Sequence, residues 1–107
     1  MPKAQTITLT ILPTSDLTFG GHVDFKSSVP LLDVSVGTVL CQVQAAAGGL
    51  AAYVMTDGAG YGSVTLGPTP TWSSGGGAGK LEVLKWDAQK ASYSAIRGSE
   101  VSFTVTA

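Results

Sequence analysis

The chain has 107 residues, of which 44% are hydrophobic and only 12% are charged, and its formal net charge is −1. This length predicts a single domain, residues 1–107, with one core, and the near-zero charge excludes a basic surface for nucleic acid or anionic lipid. The charged fraction is about half of the roughly 25% found in ordinary soluble domains. Because charged residues are depleted where surface is buried against a partner, this composition favours a protein that works within an assembly.

The first third of the chain predicts two strands separated by a loop. Residues 4–12 alternate strictly between apolar residues and threonines, which is typical of a half-buried strand. Pro13 ends this strand, residues 13–21 form a loop, and HVDFK at 22–26 alternates again. The side chains expected to face the core are Ile7, Leu9, Ile11, Val23 and Phe25.

Residues 34–47 allow two interpretations. β-Branched residues dominate the first two thirds of this segment, which favours a strand. With Thr38 as N-cap, the apolar spacing also fits a short helix. GTVL at 37–40 followed by AAAGGL at 45–50 is similar to a pattern of soluble-ligand-binding β-grasp domains. That resemblance implies one helix at about 38–48 and a ligand-binding function.

The second half predicts further short strands with turn signals every 8–12 residues, a pattern typical of an all-β sandwich or barrel. With the first half, the chain has seven or eight strands and no long helix. We therefore predict a compact immunoglobulin-like β-sandwich, with the β-grasp fold as the alternative. A long glycine-rich connection is expected at residues 67–79, and strands are expected at residues 50–56, 61–66, 80–86, 92–96 and 100–106.

The stretch WSSGGGAGK at 72–80 looks at first like a phosphate-binding loop. A P-loop requires a glycine where Ser74 stands and a hydroxyl residue where Leu81 stands. The residues that follow alternate as a strand, so no helix N-terminus is present to hold a phosphate. The sequence therefore argues against nucleotide binding here and predicts a flexible loop.

Few residues could carry catalysis. His22 is the one histidine and Cys41 the one cysteine, and the seven carboxylates are spread singly along the chain. Cys41 lies in an apolar run without the cations that lower a thiol pKa, and zinc would require about four nitrogen or sulfur ligands. We predict no enzymatic activity, no metal site and no cofactor.

Aromatic side chains are the remaining candidates for ligand contact. Trp72 lies in a segment of Pro, Ser and Gly and is expected to be exposed, while Trp86 and Tyr93 flank a turn. Since sugars stack on exposed aromatic rings, a carbohydrate-binding module is an alternative function. Trp72, Trp86 and Tyr93 are thus the predicted contacts for a partner or glycan.

The closing segment RGSEVSFTV at 97–105 resembles the last core strand of immunoglobulin-like modules in bacterial surface proteins and phage structural proteins. With the low charge, the Gly, Ser and Thr surface, the expected lack of a signal peptide and the lack of catalytic groups, the whole chain is similar in kind to small phage virion proteins. This resemblance of type implies a non-enzymatic structural protein, such as a capsid decoration protein or a head or tail accessory protein. Such a protein acts by self-association or by docking on a larger assembly, with residues 13–21 and 67–79 ordering on the partner. We expect synthesis in the cytoplasm without a signal peptide and no association with membranes or nucleic acid.

Overall fold

The computed structural model describes residues 6–33, 37–45, 50–70 and 72–107. All regular structure in these residues is β-strand, which confirms the predicted all-β fold. The eight strands are β1 (Leu9–Ile11), β2 (His22–Ser27), β3 (Thr38–Ala45), β4 (Leu50–Val54), β5 (Tyr61–Thr65), β6 (Gly77–Asp87), β7 (Ser92–Ala95) and β8 (Val101–Val105).

The strands form two antiparallel sheets, as expected for a β-sandwich. One sheet has the order β1-β2-β5, and the other has the order β4-β3-β6-β7, with β8 also paired to β6. Strand β6 has 11 residues, which is long enough to pair with β3 along one edge and with two strands along the other. On that second edge, residues 77–81 pair with β8 and residues 84–87 pair with β7. The finer immunoglobulin-like assignment stays a prediction.

Alternating apolar residues from both sheets build the core. Val23 and Phe25 of β2 are fully buried, and Ile7 and Leu9 are buried while the neighbouring threonines are exposed. Ile11 is half-buried and packs against the same core. These orientations agree with the two-residue period of the sequence, because successive strand residues point to opposite faces.

The helix considered for residues 38–48 is wrong over 38–45, which form β3. This strand is central in its sheet and pairs with β4 on one side and with β6 on the other. Strand pairing on both edges, together with complete burial of Val39, Cys41 and Val43, outweighs the helix N-cap signal of Thr38. The rest of the ambiguous segment, residues 34–36 and 46–47, lies outside the described residues.

The glycine-rich connection predicted for residues 67–79 is shorter than expected, because β6 begins at Gly77. Residues 77–79 pair with β3 and with β8. A Cβ atom at Gly79 would overlap the ring of Phe103, so this strand position holds a glycine to admit a close aromatic neighbour. At the other end of the chain, β1 covers only three residues of the strand predicted for 4–12.

The expectation that Trp72 is exposed is wrong, since its side chain is 0% exposed. Its ring meets Phe19 edge to face, with centroids 5.1 Å apart and 76° between the planes. The indole Nε1–H donates a hydrogen bond to the carbonyl of Gly75 at 3.0 Å. The loop therefore folds its largest apolar side chain into the core and satisfies its one polar atom locally, so Trp72 cannot serve as a surface contact.

Candidate functional site

The outer face of the five-stranded sheet carries the candidate site. In β3, Val39 and Cys41 point into the core, so Leu40 between them points outward. Leu40 lies directly opposite Tyr53 of β4 and Glu82 of β6, which places all three on that outer face.

Three aromatic side chains from three strands meet on this face and form the aromatic cluster: Tyr53, Trp86 and Tyr93. Trp86 and Tyr93 are cross-strand partners whose ring centroids lie 5.0 Å apart at 65°. The rings of Tyr53 and Tyr93 are stacked, with centroids 5.7 Å apart at 28°. Tyr53 and Tyr93 stand on strands at opposite ends of the β4-β3-β6-β7 order, so both side chains lean over the two middle strands.

The aromatic cluster covers two leucines that do not belong to the core. Leu40 and Leu84 are each only 5% exposed, yet neither belongs to the buried cluster between the sheets. Leu84 is two positions before Trp86 in β6 and therefore shares its face. The sandwich thus has a second, smaller apolar layer on its outside, with aromatic rings as its outermost surface.

Thr38 lies beside this layer with an unsatisfied hydroxyl. It pairs with Leu84 across β3 and β6, shares the outer face and is 4% exposed. Among the described residues its Oγ1 has no hydrogen-bond partner. Leaving a buried polar group unpaired costs about 1–3 kcal/mol, so such a group in a folded protein marks a place where water or a ligand can bind.

Polar side chains occupy the other end of the same face and form the polar strip: Gln42, Gln44, Lys80 and Ser102. They surround a shallow pocket of about 240 Å³. Lys80 Nζ lies 3.7 Å from the Oε2 atom of Glu82, so the charge within the strip is balanced by a neighbour.

A second pocket of about 410 Å³ lies next to the aromatic cluster, at the β6–β7 turn. Trp86 lines it together with Lys85, Asp87, Gln89 and Ser94. The Trp86 indole thus borders both the aromatic cluster and a pocket with amide, hydroxyl and charged groups.

The groups considered for catalysis are not brought together. Cys41 points into the core, and desolvation by burial raises the pKa of its thiol to about 12. His22 lies on the other sheet, where its Nε2 is 3.3 Å from Asp24 Oδ2. Hydrogen bonds from Ser63 and from Thr14 lower the pKa of Asp24.

Among the residues that the structure describes, no group of three or more His, Cys, Asp or Glu side chains is arranged to hold a metal ion. None of the described segments forms a helix of the length and hydropathy that a membrane span requires.

Of the three predicted contact residues, the structure brings Trp86 and Tyr93 together and places Trp72 in the core. Tyr53 completes the cluster, although the sequence did not single it out as a contact. Its outward orientation follows from the strand predicted at residues 50–56, but its contact with Tyr93 depends on the strand order of the sheet.

Comparisons of the chain with protein families, with curated proteins and with solved structures find no match in any of the three. The outer face is therefore interpreted from its own geometry.

Proposed function

We propose that the protein is a non-enzymatic structural or interaction protein whose working surface is the outer face of the five-stranded sheet. The observation that carries this proposal is the aromatic cluster, which forms a preassembled surface over Leu40 and Leu84. Tyr and Trp are enriched among the residues that contribute most to binding. Tyr53 is 53% exposed and is therefore available to a partner.

The proposed setting is a larger assembly, in which the chain acts through self-association or docking. The low charged fraction of 12% supports this setting, because the core of an interface is depleted of charge. The resemblance of residues 97–105 to a strand of phage structural proteins supports a virion component, either a capsid decoration protein or a head or tail accessory protein.

Sedimentation velocity over a wide concentration range tests this proposal, together with co-sedimentation with particles encoded by neighbouring genes. We expect the wild-type chain to associate or to co-sediment, and Trp86→Ala to weaken this behaviour. Tyr61→Ala is the matched control, because Tyr61 is 45% exposed but belongs to the other sheet. A wild-type chain that stays monomeric at high concentration and binds no particle would contradict the proposal.

A further inference from the structure

We infer that the ligand of the outer face is a neutral glycan chain, lying along the sheet from the aromatic cluster to the polar strip. This inference rests on the proposed function and names the partner chemistry of the same face. It follows from the length of the face, its chemical composition, its charge and its unsatisfied hydrogen-bonding groups.

The site is elongated. Lys80 in the polar strip and Trp86 in the aromatic cluster are six positions apart on β6 and on the same face. At a strand rise of about 3.3 Å per residue, they are about 20 Å apart. A surface of this length accommodates several consecutive sugar units, and the pockets near its two ends lie next to Trp86 and Lys80.

The chemical composition of the face matches the two surfaces of a sugar ring. Leu40 and Leu84 are covered, so the apolar groups presented outward are mainly aromatic. A pyranose packs its C–H groups against aromatic rings and points its hydroxyls to the side. Farther along the same face, Gln42, Gln44 and Ser102 supply hydrogen-bonding groups, and in the described part of the chain their side chains have no hydrogen-bond partner.

The balance of charge favours a neutral ligand over an anionic one. Lys80 is paired with Glu82 on this face, whereas Lys85 and Asp87 alternate with Trp86 along β6 and point to the opposite face. Since the cation of the polar strip has a carboxylate partner, the described part of the face offers no excess positive charge to a sulfated or carboxylated glycan.

The unsatisfied hydroxyl of Thr38 is an independent observation that indicates a ligand. It is 4% exposed, without a hydrogen-bond partner in the described part of the chain, and it shares the outer face with Leu84. A sugar hydroxyl can both donate and accept a hydrogen bond and is small enough to reach between side chains. A ligand that forms a hydrogen bond with the Thr38 hydroxyl removes the free-energy penalty of leaving it unpaired.

Isothermal titration calorimetry tests the inference with cellohexaose, xylohexaose, laminarihexaose and mannohexaose, and with heparin as the anionic probe. We expect one neutral hexaose to bind and to change the tryptophan emission. Trp86→Ala and Gln44→Ala should each weaken binding about tenfold or more, as expected for residues that make main contacts with the ligand, one at each end of the site. Gln44 is exposed, so its replacement keeps the test valid if Trp86→Ala fails to fold. Tyr61→Ala should bind as the wild type does.

Four results would overturn the inference. Binding of heparin alone would exclude a neutral ligand, and binding unchanged in both Trp86→Ala and Gln44→Ala would exclude this face. If no hexaose binds while Trp86→Ala abolishes self-association or co-sedimentation, the partner is a protein and only the proposed function stands. If neither Trp86→Ala nor Gln44→Ala changes glycan binding, self-association or co-sedimentation, both proposals are contradicted.

Discussion

The rings of Tyr53 and Tyr93 stack 5.7 Å apart at 28°, although β4 and β7 are separated by the two strands β3 and β6. The two side chains therefore bridge the outside of the sheet and connect strands that share no backbone hydrogen bonds. This bridge both protects Leu40 and Leu84 from water and presents aromatic surface.

The Tyr53–Tyr93 pair is expected to show measurable energetic coupling. Tyr53→Ala, Tyr93→Ala and the double variant should give a coupling free energy of about 0.5–1.5 kcal/mol, as measured for aromatic pairs. Urea unfolding of the four proteins measures it. Tyr61→Ala combined with Tyr93→Ala is the control and should be additive, because Tyr61 lies on the other sheet. A coupling free energy below about 0.3 kcal/mol would show that the stacking of the two rings does not contribute to stability.

The two tryptophans should differ in their access to a soluble quencher. Trp86→Phe leaves only Trp72, which is 0% exposed, so its emission should be blue-shifted and resistant to acrylamide. Trp72→Phe leaves only the half-buried Trp86, whose emission should be quenched readily. Stern–Volmer titrations with acrylamide measure the quenching of the remaining tryptophan in each variant. Equal quenching of the two variants in their folded states would contradict the burial of Trp72.

Replacing Gly79 should destabilise the protein more than replacing another glycine. In Gly79→Ala the new methyl group would overlap the Phe103 ring, and such overpacking costs typically about 1–3 kcal/mol. A Cβ at Gly58 would meet nothing within 4 Å, so Gly58→Ala is the control and should change the free energy of unfolding by less than about 0.5 kcal/mol. Similar free energies of unfolding for the two variants in denaturant would show that the Phe103 ring moves aside without loss of stability.

Cys41 should be unreactive in the folded protein at pH 8. Burial raises its pKa to about 12, so the thiol carries its proton at that pH and only the thiolate is nucleophilic. Labelling with a chromogenic disulfide reagent should be slow in buffer and complete in urea. Rapid labelling under native conditions would show that the thiol is accessible.

The same thiol should make stability fall at alkaline pH. Its pKa rises from 9.0 to about 12 on folding, so between these values the unfolded chain loses a proton that the folded chain retains. The contribution of the protonated Cys41 thiol to the free energy of unfolding is therefore complete below about pH 9 and is lost as the pH rises towards 12. Urea unfolding of the wild type and of Cys41→Ala at pH 8 and pH 10 measures it. An equal decrease in both proteins would assign the alkaline effect to other groups.

The alternation of the sequence was sufficient to predict the strands that line the core. Val23 and Phe25 in β2 and Phe103 and Val105 in β8 are buried as their two-residue period indicates. Such patterns are local, because the same residues that form the strand also determine which face is buried.

Features that depend on contacts between distant segments could not be predicted in this way. A loop composition of Pro, Ser and Gly indicated an exposed Trp72, but the nearest aromatic partner in space is Phe19, from a loop early in the chain. Gly77 and Gly79 were predicted as loop residues, because glycine is a poor strand former unless another group packs closely on it. For Gly79, Phe103 of β8 supplies that group.

In the candidate site too, contacts between neighbouring residues could be predicted from the sequence and contacts between distant segments could not. Trp86 and Tyr93 flank one turn, so their proximity could be inferred from the sequence alone. Tyr53 joins them only because β3 and β6 lie side by side between β4 and β7.

The hydrogen bond from the Trp72 indole to the Gly75 carbonyl fixes the chain two residues before β6 begins. Strand β6, which carries Lys80, Glu82 and Trp86, is thus anchored in the core at its start and paired with β3 over residues 77–84, with β8 over residues 77–81 and with β7 over residues 84–87. We therefore expect the proposed partner to meet a surface that already has its final shape, so that it binds by rigid-body docking with backbone movements below about 1 Å. For a protein partner, the association rate constant is then expected to be set by diffusion and orientation, on the order of 10⁵–10⁷ M⁻¹s⁻¹, rather than by a folding step.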